Sequence, residues 1–233
     1  MRPGDPKAIE EMFNALALNY NFLNDLLSLG LHRLWKRKLL TFVRPLKGES
    51  WIDMCCGTGD MSFFLDKLVG EDGKVYGIDY ASTTLLIARE RAAYKKAFSI
   101  KWLKENVLET SLSSHEFDGV IMAYGLRNLS DPKSGLEEVF RLLKPGGRAG
   151  FLDFNKSKKG SIPDIFQKFY LRYLVVPIAS ILRLGDHYAY LEKSLKMFPS
   201  GRMQKQLALE VGFKEASYKT IAMEQMGVLL LKA

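Results

Sequence analysis

Cysteine is nearly absent from this chain, and so is histidine: two cysteines, adjacent at 55 and 56, and three histidines among 233 residues. Adjacent thiols rarely bridge each other, so no disulfide scaffold is encoded. No Cys/His spacing suits zinc either, and no metal is expected. Free thiols fit a reducing, intracellular setting. Any uncharged stretch of 18 residues is also missing, so no transmembrane helix is expected. The longest apolar run, residues 173–182, is too short to span a bilayer and carries Pro177. The first residues lack an apolar signal core, and the sequence therefore reads as cytoplasmic.

What is present is ordinary globular composition, 47% hydrophobic and 26% charged, which excludes a disordered or fibrous chain. A chain of this length buries a full core without staples, and it suits a single domain. The net charge of +8 is unevenly placed: +3 over residues 1–49, −2 over 50–155 and +7 over 156–233. Basic flanks can meet anionic lipid or nucleic acid, or can simply be solvated lysines.

Residues 7–44 carry helical periodicity, with Met12, Phe13, Leu16, Tyr20 and Leu23 on one face and a basic face along 31–43. From residue 49 the pattern changes. Strands are predicted at 50–54, 74–78, 99–103, 117–123 and 148–154, with helices between them at 61–68, 82–96 and 131–143. Pro132 stands at the favoured first helical position, and residues 144–147 read as a turn. A long apolar helix or helix pair is expected over 164–184, interrupted at Pro177. A helix at 201–211 and an antiparallel strand pair at 213–221 and 226–231 close the chain. Alternating strands and helices imply a doubly wound, mostly parallel α/β sheet, here of seven strands. One domain follows, divided into an N-terminal helical cap (1–48), a core (49–155), a helical lid insertion (156–198) and a closing helix and strand pair (199–233). In such sheets ligands bind at the carboxyl ends of the strands.

Five constellations lie at such places. The first is Asp53, Gly57, Thr58, Gly59 and Asp60, a glycine turn leaving the first strand; Ser62 stands where a dinucleotide fingerprint has its third glycine. The second is Asp79, followed by Tyr80, at the end of the second strand. An acidic residue here can accept hydrogen bonds from both hydroxyls of a ribose, and together with the glycine turn it favours a nucleoside ligand. The third, Asn106 and Val107, can read an adenine edge, or Asn106 simply forms a turn. The fourth runs from Ala123 and Tyr124 to Asp131. There Arg127 can stabilise an oxyanion and Asn128 can orient a hydroxyl or water, unless Arg127 merely pairs with Asp131 and Asn128 shapes the loop. The fifth is the polar cluster Tyr20, Asn24, Asp25, Ser28 and His32 inside the N-terminal helices. Capping explains much of it, and His32 and His187 read as surface or packing residues.

The glycine turn, Asp79 and the segment 143–147 (LKPGG) resemble class I S-adenosylmethionine-dependent methyltransferases. Two segments, 20–36 (YNFLNDLLSLGLHRLWK) and 124–131 (YGLRNLSD), resemble more narrowly the ubiquinone/menaquinone-biosynthesis C-methyltransferase family. The resemblance covers nearly the whole chain. Residues 152–156, 187–191, 198–201 and 226–229 are most similar to its cyanobacterial and plastid branch, which methylates the naphthoquinone ring in phylloquinone synthesis. The resemblance implies that S-adenosylmethionine is the cofactor and S-adenosylhomocysteine the product. It implies that Asp53, Gly57, Thr58, Gly59, Asp79, Tyr80, Asn106, Val107 and Ala123 bind the cofactor, with Thr58 and Asp79 as direct ligands and Asn106 and Val107 flanking its adenine. Ala123 lacks the hydroxyl that a serine would offer, and Asn21 replaces an acid usual in the first motif.

The implied substrate is a prenylated naphthoquinol; a ubiquinone-pathway benzoquinol is the alternative. A ring carbon becomes nucleophilic when a neighbouring phenol loses its proton, so the reduced quinol is favoured over the quinone. Arg127, Asn128 and Tyr20 are the candidate catalytic residues. The proton acceptor stays open among Tyr20, Asp25, Tyr124 and water, with a water held by Asn128 or Tyr20 placed first. No Asn-Pro-Pro-Tyr or Pro-Cys motif follows the fourth strand, so no nucleic-acid partner is expected. The intact glycine turn and Asp79 argue against a non-catalytic subunit. The apolar 164–184 helix and the basic flanks suggest peripheral docking to an anionic membrane. The oligomeric state is open, a homodimer included.

Overall fold

The computed structural model of the chain describes residues 5–16, 25, 28–170, 172–173, 177, 190 and 193–233. Helices α1 (Pro6–Leu16) and α2 (His32–Val43) precede the sheet. Then follow β1 (Ser50–Met54), α3 (Asp60–Val69), β2 (Lys74–Asp79), α4 (Ser82–Lys95), β3 (Lys101–Lys104), β4 (Phe117–Ala123), α5 (Pro132–Leu142) and β5 (Leu143–Phe154). Helix α6 (Ile162–Tyr170), helix α7 (Gly201–Val211), β6 (Glu215–Ile221) and β7 (Met226–Lys232) complete the described elements.

The seven strands form one sheet in the order β3-β2-β1-β4-β5-β7-β6. The first five pair in parallel, and β7 runs antiparallel to both β5 and β6. The expected architecture is thus found. The order reverses between β1 and β4, which opens a crevice at their carboxyl ends. Central strands of a sheet covered on both faces must be apolar throughout. Trp51, Ile52 and Met54 of β1 and Val120, Ile121 and Met122 of β4 are accordingly buried. One core cluster, including Val120, Leu136, Val139 and Phe213, lies under α5 and α7. The other, including Leu39, Val43, Leu65 and Ile121, lies under α2 and α3.

Local chemistry sets the boundaries. Asp131 caps α5 by accepting from the Lys133 amide at 3.0 Å, with Pro132 next to it. Arg44, in the left-handed region at φ 49°, ends α2. One expectation is corrected: residues 144–147 belong to β5 instead of forming a separate turn before it. Their backbone is paired, the Gly146 amide donating to the Ala233 carbonyl and the Ala233 amide to that of Gly147, each at 3.0 Å. The irregularity they introduce is taken up as a register shift opposite Phe117 and Gly119. Helix α6 matches the start of the expected 164–184 helix; most of that stretch, with Pro177 excepted, lies outside the described residues, as do Tyr20, Asn24 and His187. Among the described residues no helix is long and apolar enough to cross a membrane.

Candidate active site

A cavity opens at the carboxyl ends of β1, β2 and β4, the place where ligands bind in such sheets. Gly57, Asp79, Tyr80, Asn106, Val107, Ala123 and Asn128 line it, so seven of the expected site residues converge there. Asp53 belongs to β1 ahead of the glycine turn, and Thr58 and Gly59 form part of the turn itself. Asp53 and Thr58 line a smaller recess that shares Cys55, Gly57 and Ala123 with the main cavity.

The chain leaves both β1 and β4 through a left-handed residue, Cys55 at φ 56° and Tyr124 at φ 65°. Such conformations cost free energy in non-glycine residues and gather at functional sites. At Gly59, φ is 86° and a Cβ would meet the Trp102 ring at 2.6 Å, so only glycine fits this turn. The turn is held from β2. One Asp79 oxygen accepts the Gly57 amide at 2.7 Å and the other accepts the Ala81 amide at 2.9 Å. Burial pushes the Asp79 carboxyl above its ordinary range despite these donors. The Thr84 hydroxyl at 3.5 Å and the Tyr80 amide also approach this carboxylate, which takes about four hydrogen bonds, so ligand donors here would replace the longest of these contacts. A vicinal diol supplies two donors, and the site therefore fits the ribose of S-adenosylmethionine.

Asp53 is buried and accepts the Ser62 hydroxyl at 2.7 Å. Burial raises its carboxyl to about 7. Thr58 is anchored by Arg91, which donates to its carbonyl at 2.6 Å and its hydroxyl at 2.9 Å. The Asn106 side-chain oxygen accepts the Leu108 amide at 3.1 Å. This is the turn-forming role weighed above, and it leaves the side-chain NH₂ for a ligand. Burial raises both the Cys55 and Cys56 thiols, so they are inert as nucleophiles.

Arg127 departs from expectation. It is absent from the cavity lining and pairs with buried Asp153 at 2.8 Å, while also donating to the Tyr124 carbonyl at 2.7 Å. Asp131 is instead occupied by its helix cap. Removing one partner of such a buried pair costs about 3–5 kcal/mol. Arg127 thus holds the β4 loop against β5, and Tyr124, Asn128 and Ser130 of that loop line the cavity. Asn128 donates to the Tyr124 carbonyl at 3.2 Å and accepts the Tyr190 hydroxyl at 3.1 Å.

Several lining residues were not legible in the sequence. Ile9, Glu10 and Phe13 of α1 cover the cavity. Helix α1 is fixed there by Glu10, 3.0 Å from Lys104, and by Asn14, which accepts the Thr83 amide at 2.9 Å. Only the helical periodicity of 7–20 hinted at a buried face, with no sign of what it covered. His32 is buried and sits 2.8 Å from Asp25; burial lowers its pKa, so it is neutral near pH 7. Tyr20 lies outside the described residues. Among those described, no group of three or more His, Cys, Asp or Glu side chains is arranged to hold a metal ion.

Residues 2–229 match the ubiE/COQ5 methyltransferase family. The chain is 40% identical to 2-phytyl-1,4-naphtoquinone methyltransferase of Trichormus variabilis, covering 96% of this chain and 97% of that one. It is 39% identical to the chloroplastic 2-phytyl-1,4-beta-naphthoquinone methyltransferase of Arabidopsis thaliana, covering 94% and 85%. The fold is similar to that of a SAM-dependent methyltransferase from Aquifex aeolicus, with a TM-score of 0.65, 20% identity and coverage of 87% and 91%.

Asp60, at the start of α3, is gripped by Lys36 at 3.0 Å and Arg91 at 2.8 Å. Burial opposes its ionisation, but the two cations overcome this and bring its pKa from 3.8 to about 2. A depressed carboxylate stabilises the fold above its unfolded pKa, and the contribution is lost as pH falls through the folded value. Asp60→Asn is therefore expected to lower stability by about 2 kcal/mol at pH 7. The gap to the wild type should close between about pH 4 and pH 2, as read by urea unfolding across that range. A gap independent of pH would assign the loss to packing.

Proposed function

Because the chain belongs to the ubiE/COQ5 methyltransferase family, we propose that it transfers a methyl group to a ring carbon of a prenylated naphthoquinol, as in phylloquinone or menaquinone synthesis. The enzyme is an S-adenosylmethionine-dependent methyltransferase. The observation that carries the acceptor is the 40% identity, over 96% of the chain, to a 2-phytyl-1,4-naphtoquinone methyltransferase.

S-Adenosylmethionine supplies an electrophilic methyl group when bound. The protein's part is to position and to exclude water. Asp79 takes the ribose hydroxyls, Asn106 and Val107 flank the adenine, and Gly57 and Ala123 allow close approach of the ligand. Asp53, Thr58, Gly59 and Tyr80 complete the binding turn. Helix α1 closes the cavity from above and keeps the reacting centre dry.

On the acceptor side the protein must favour a phenolate. Asn128 holds the hydroxyl, or a water beside it, through the amide that faces the cavity. Arg127 acts from behind the loop. Its pairing with Asp153 at 2.8 Å and its bond to the Tyr124 carbonyl fix the Tyr124–Asn128 backbone. Tyr20 is a candidate for the proton path. The oxidised quinone has no phenol to ionise and is not a substrate on this reading.

The tail of such a substrate resides in a bilayer, and we place the docking face on α6. This helix buries none of its residues. Ile162, Ile165, Phe166 and Phe169 are exposed, with Tyr173 beyond them, and Lys158, Lys159, Lys168 and Arg172 stand alongside. An apolar face flanked by cations suits the surface of an anionic membrane.

Two measurements test this reading. Methyl transfer from labelled S-adenosylmethionine is expected on a reduced 2-prenylated naphthoquinone, and not on the oxidised form; a benzoquinol run in parallel reports ring selectivity. Label on the benzoquinol alone would move the enzyme to the other quinone. In co-sedimentation, binding to anionic liposomes should exceed binding to neutral ones and fall with salt. Each of Lys158→Gln, Lys159→Gln and Lys168→Gln is worth about 1 kcal/mol, a factor of about five. Equal binding to both liposomes would remove the docking face.

A further inference from the structure

Tyr190 lies in the stretch between α6 and α7, far from the cavity in sequence, and its side chain is buried. Its ring packs on Met12 of α1, beside Ile9 and Phe13, two residues that line the cavity. Its hydroxyl reaches the loop after β4 and donates to the Asn128 side-chain oxygen at 3.1 Å. One side chain thus joins the cover of the cavity to the loop beneath it.

Chemistry fixes the direction of this contact. The Tyr124 carbonyl can only accept, and the Asn128 side-chain NH₂ donates to it at 3.2 Å. The amide oxygen then faces Tyr190, and the phenol is the donor. The NH₂ group keeps a second hydrogen for a ligand in the cavity that Asn128 lines. Asn128 is itself buried, so its oxygen is costly to leave unpaired. Without the phenol, that oxygen gains by rotating toward the cavity, where it would set one acceptor against the oxygen of a phenolate. Held by the phenol, it stays back, and the donor end of the amide is what a ligand meets. A hydrogen bond to the amide oxygen also polarises the amide and strengthens its N–H as a donor. The charged groups facing the phenol are Arg127 and Asp153, which act on it in opposite senses, while burial raises its pKa, so it keeps its proton through the neutral range.

We infer that Tyr190 is a positioning residue for methyl transfer: its hydroxyl holds the oxygen of the Asn128 amide and so leaves the NH₂ group to the phenolate of the acceptor. The inference rests on the quinol reading of the acceptor. It gives the insertion between β5 and α7 a part in the chemistry, because the insertion supplies the hydroxyl that sets the amide.

Tyr190→Phe tests this, since it keeps the ring on Met12 and removes only the hydroxyl. Anaerobic methyl transfer to a reduced 2-prenylated naphthoquinone is followed across pH at saturating donor and acceptor. The variant is expected to lose about tenfold in kcat at neutral pH, with S-adenosylhomocysteine affinity within about twofold of the wild type. Weaker support for the phenolate raises the pKa of the bound quinol. The acid limb of the kcat profile should therefore move up by about one unit, and the two profiles should meet above it. In an Asn128→Ala background the same change should cost less than about twofold. An unchanged kcat overturns the inference, and so does a loss of equal size at every pH. A full tenfold cost in the Asn128→Ala background also overturns it, because the phenol would then act without the amide. Tyr190→Phe protein that no longer binds S-adenosylhomocysteine assigns the hydroxyl to folding and overturns it too. Wild-type enzyme that methylates no reduced naphthoquinone overturns the acceptor reading and this inference with it, whereas wild-type turnover beside an unchanged variant removes the inference alone.

Discussion

The geometry of the site depends on one carboxylate. Asp79 stands at the end of β2 and accepts two backbone amides, from Gly57 on the turn after β1 and from Ala81 before α4. These bonds tie the exits of two neighbouring strands into one rim. With that rim fixed, the glycine turn has a single shape, α3 starts where it does, and Asp60 lies where Lys36 and Arg91 converge. Burial raises the pKa of Asp79, so its charged form is disfavoured by desolvation and gains from every donor turned toward it. A buried acceptor of this kind is unfavourable in an empty core and useful in a binding site.

On the other side of the crevice, Arg127 and Asp153 play the matching part between β4 and β5. The two rims differ in character. The β1–β2 rim is built of acids and backbone amides. The β4–β5 rim presents Asn128, with the Arg127–Asp153 pair behind it. Helix α1 lines the cavity between them through Ile9, Glu10 and Phe13, and α2 reaches the start of α3 through the Lys36–Asp60 pair.

Much of this was legible in the sequence because local periodicity carries it. The alternation of apolar strand runs with helical patterns foretold the parallel sheet, and Asp79 followed from its place at a strand end after a glycine turn. What escaped was long-range. The partner of Arg127 is Asp153, far along the chain on β5, while Asp131 lay close in sequence and was already a helix cap. Residues 144–147 have the composition of a turn, and only their pairing with the backbone at Ala233 makes them strand. Lys36 read as part of a solvated basic face, since helical spacing cannot say which of four cations meets a loop 24 residues away. The cover supplied by Ile9, Glu10 and Phe13 was invisible for the same reason.

The most direct measurement is a crystal structure of the protein with S-adenosylhomocysteine. The ribose hydroxyls should lie within hydrogen-bond distance of Asp79 and the adenine beside Asn106 and Val107, with Ile9 and Phe13 of α1 lining the same cavity. A nucleoside bound elsewhere, or one bound here with Asp79 making no contact to the ribose, would contradict the account.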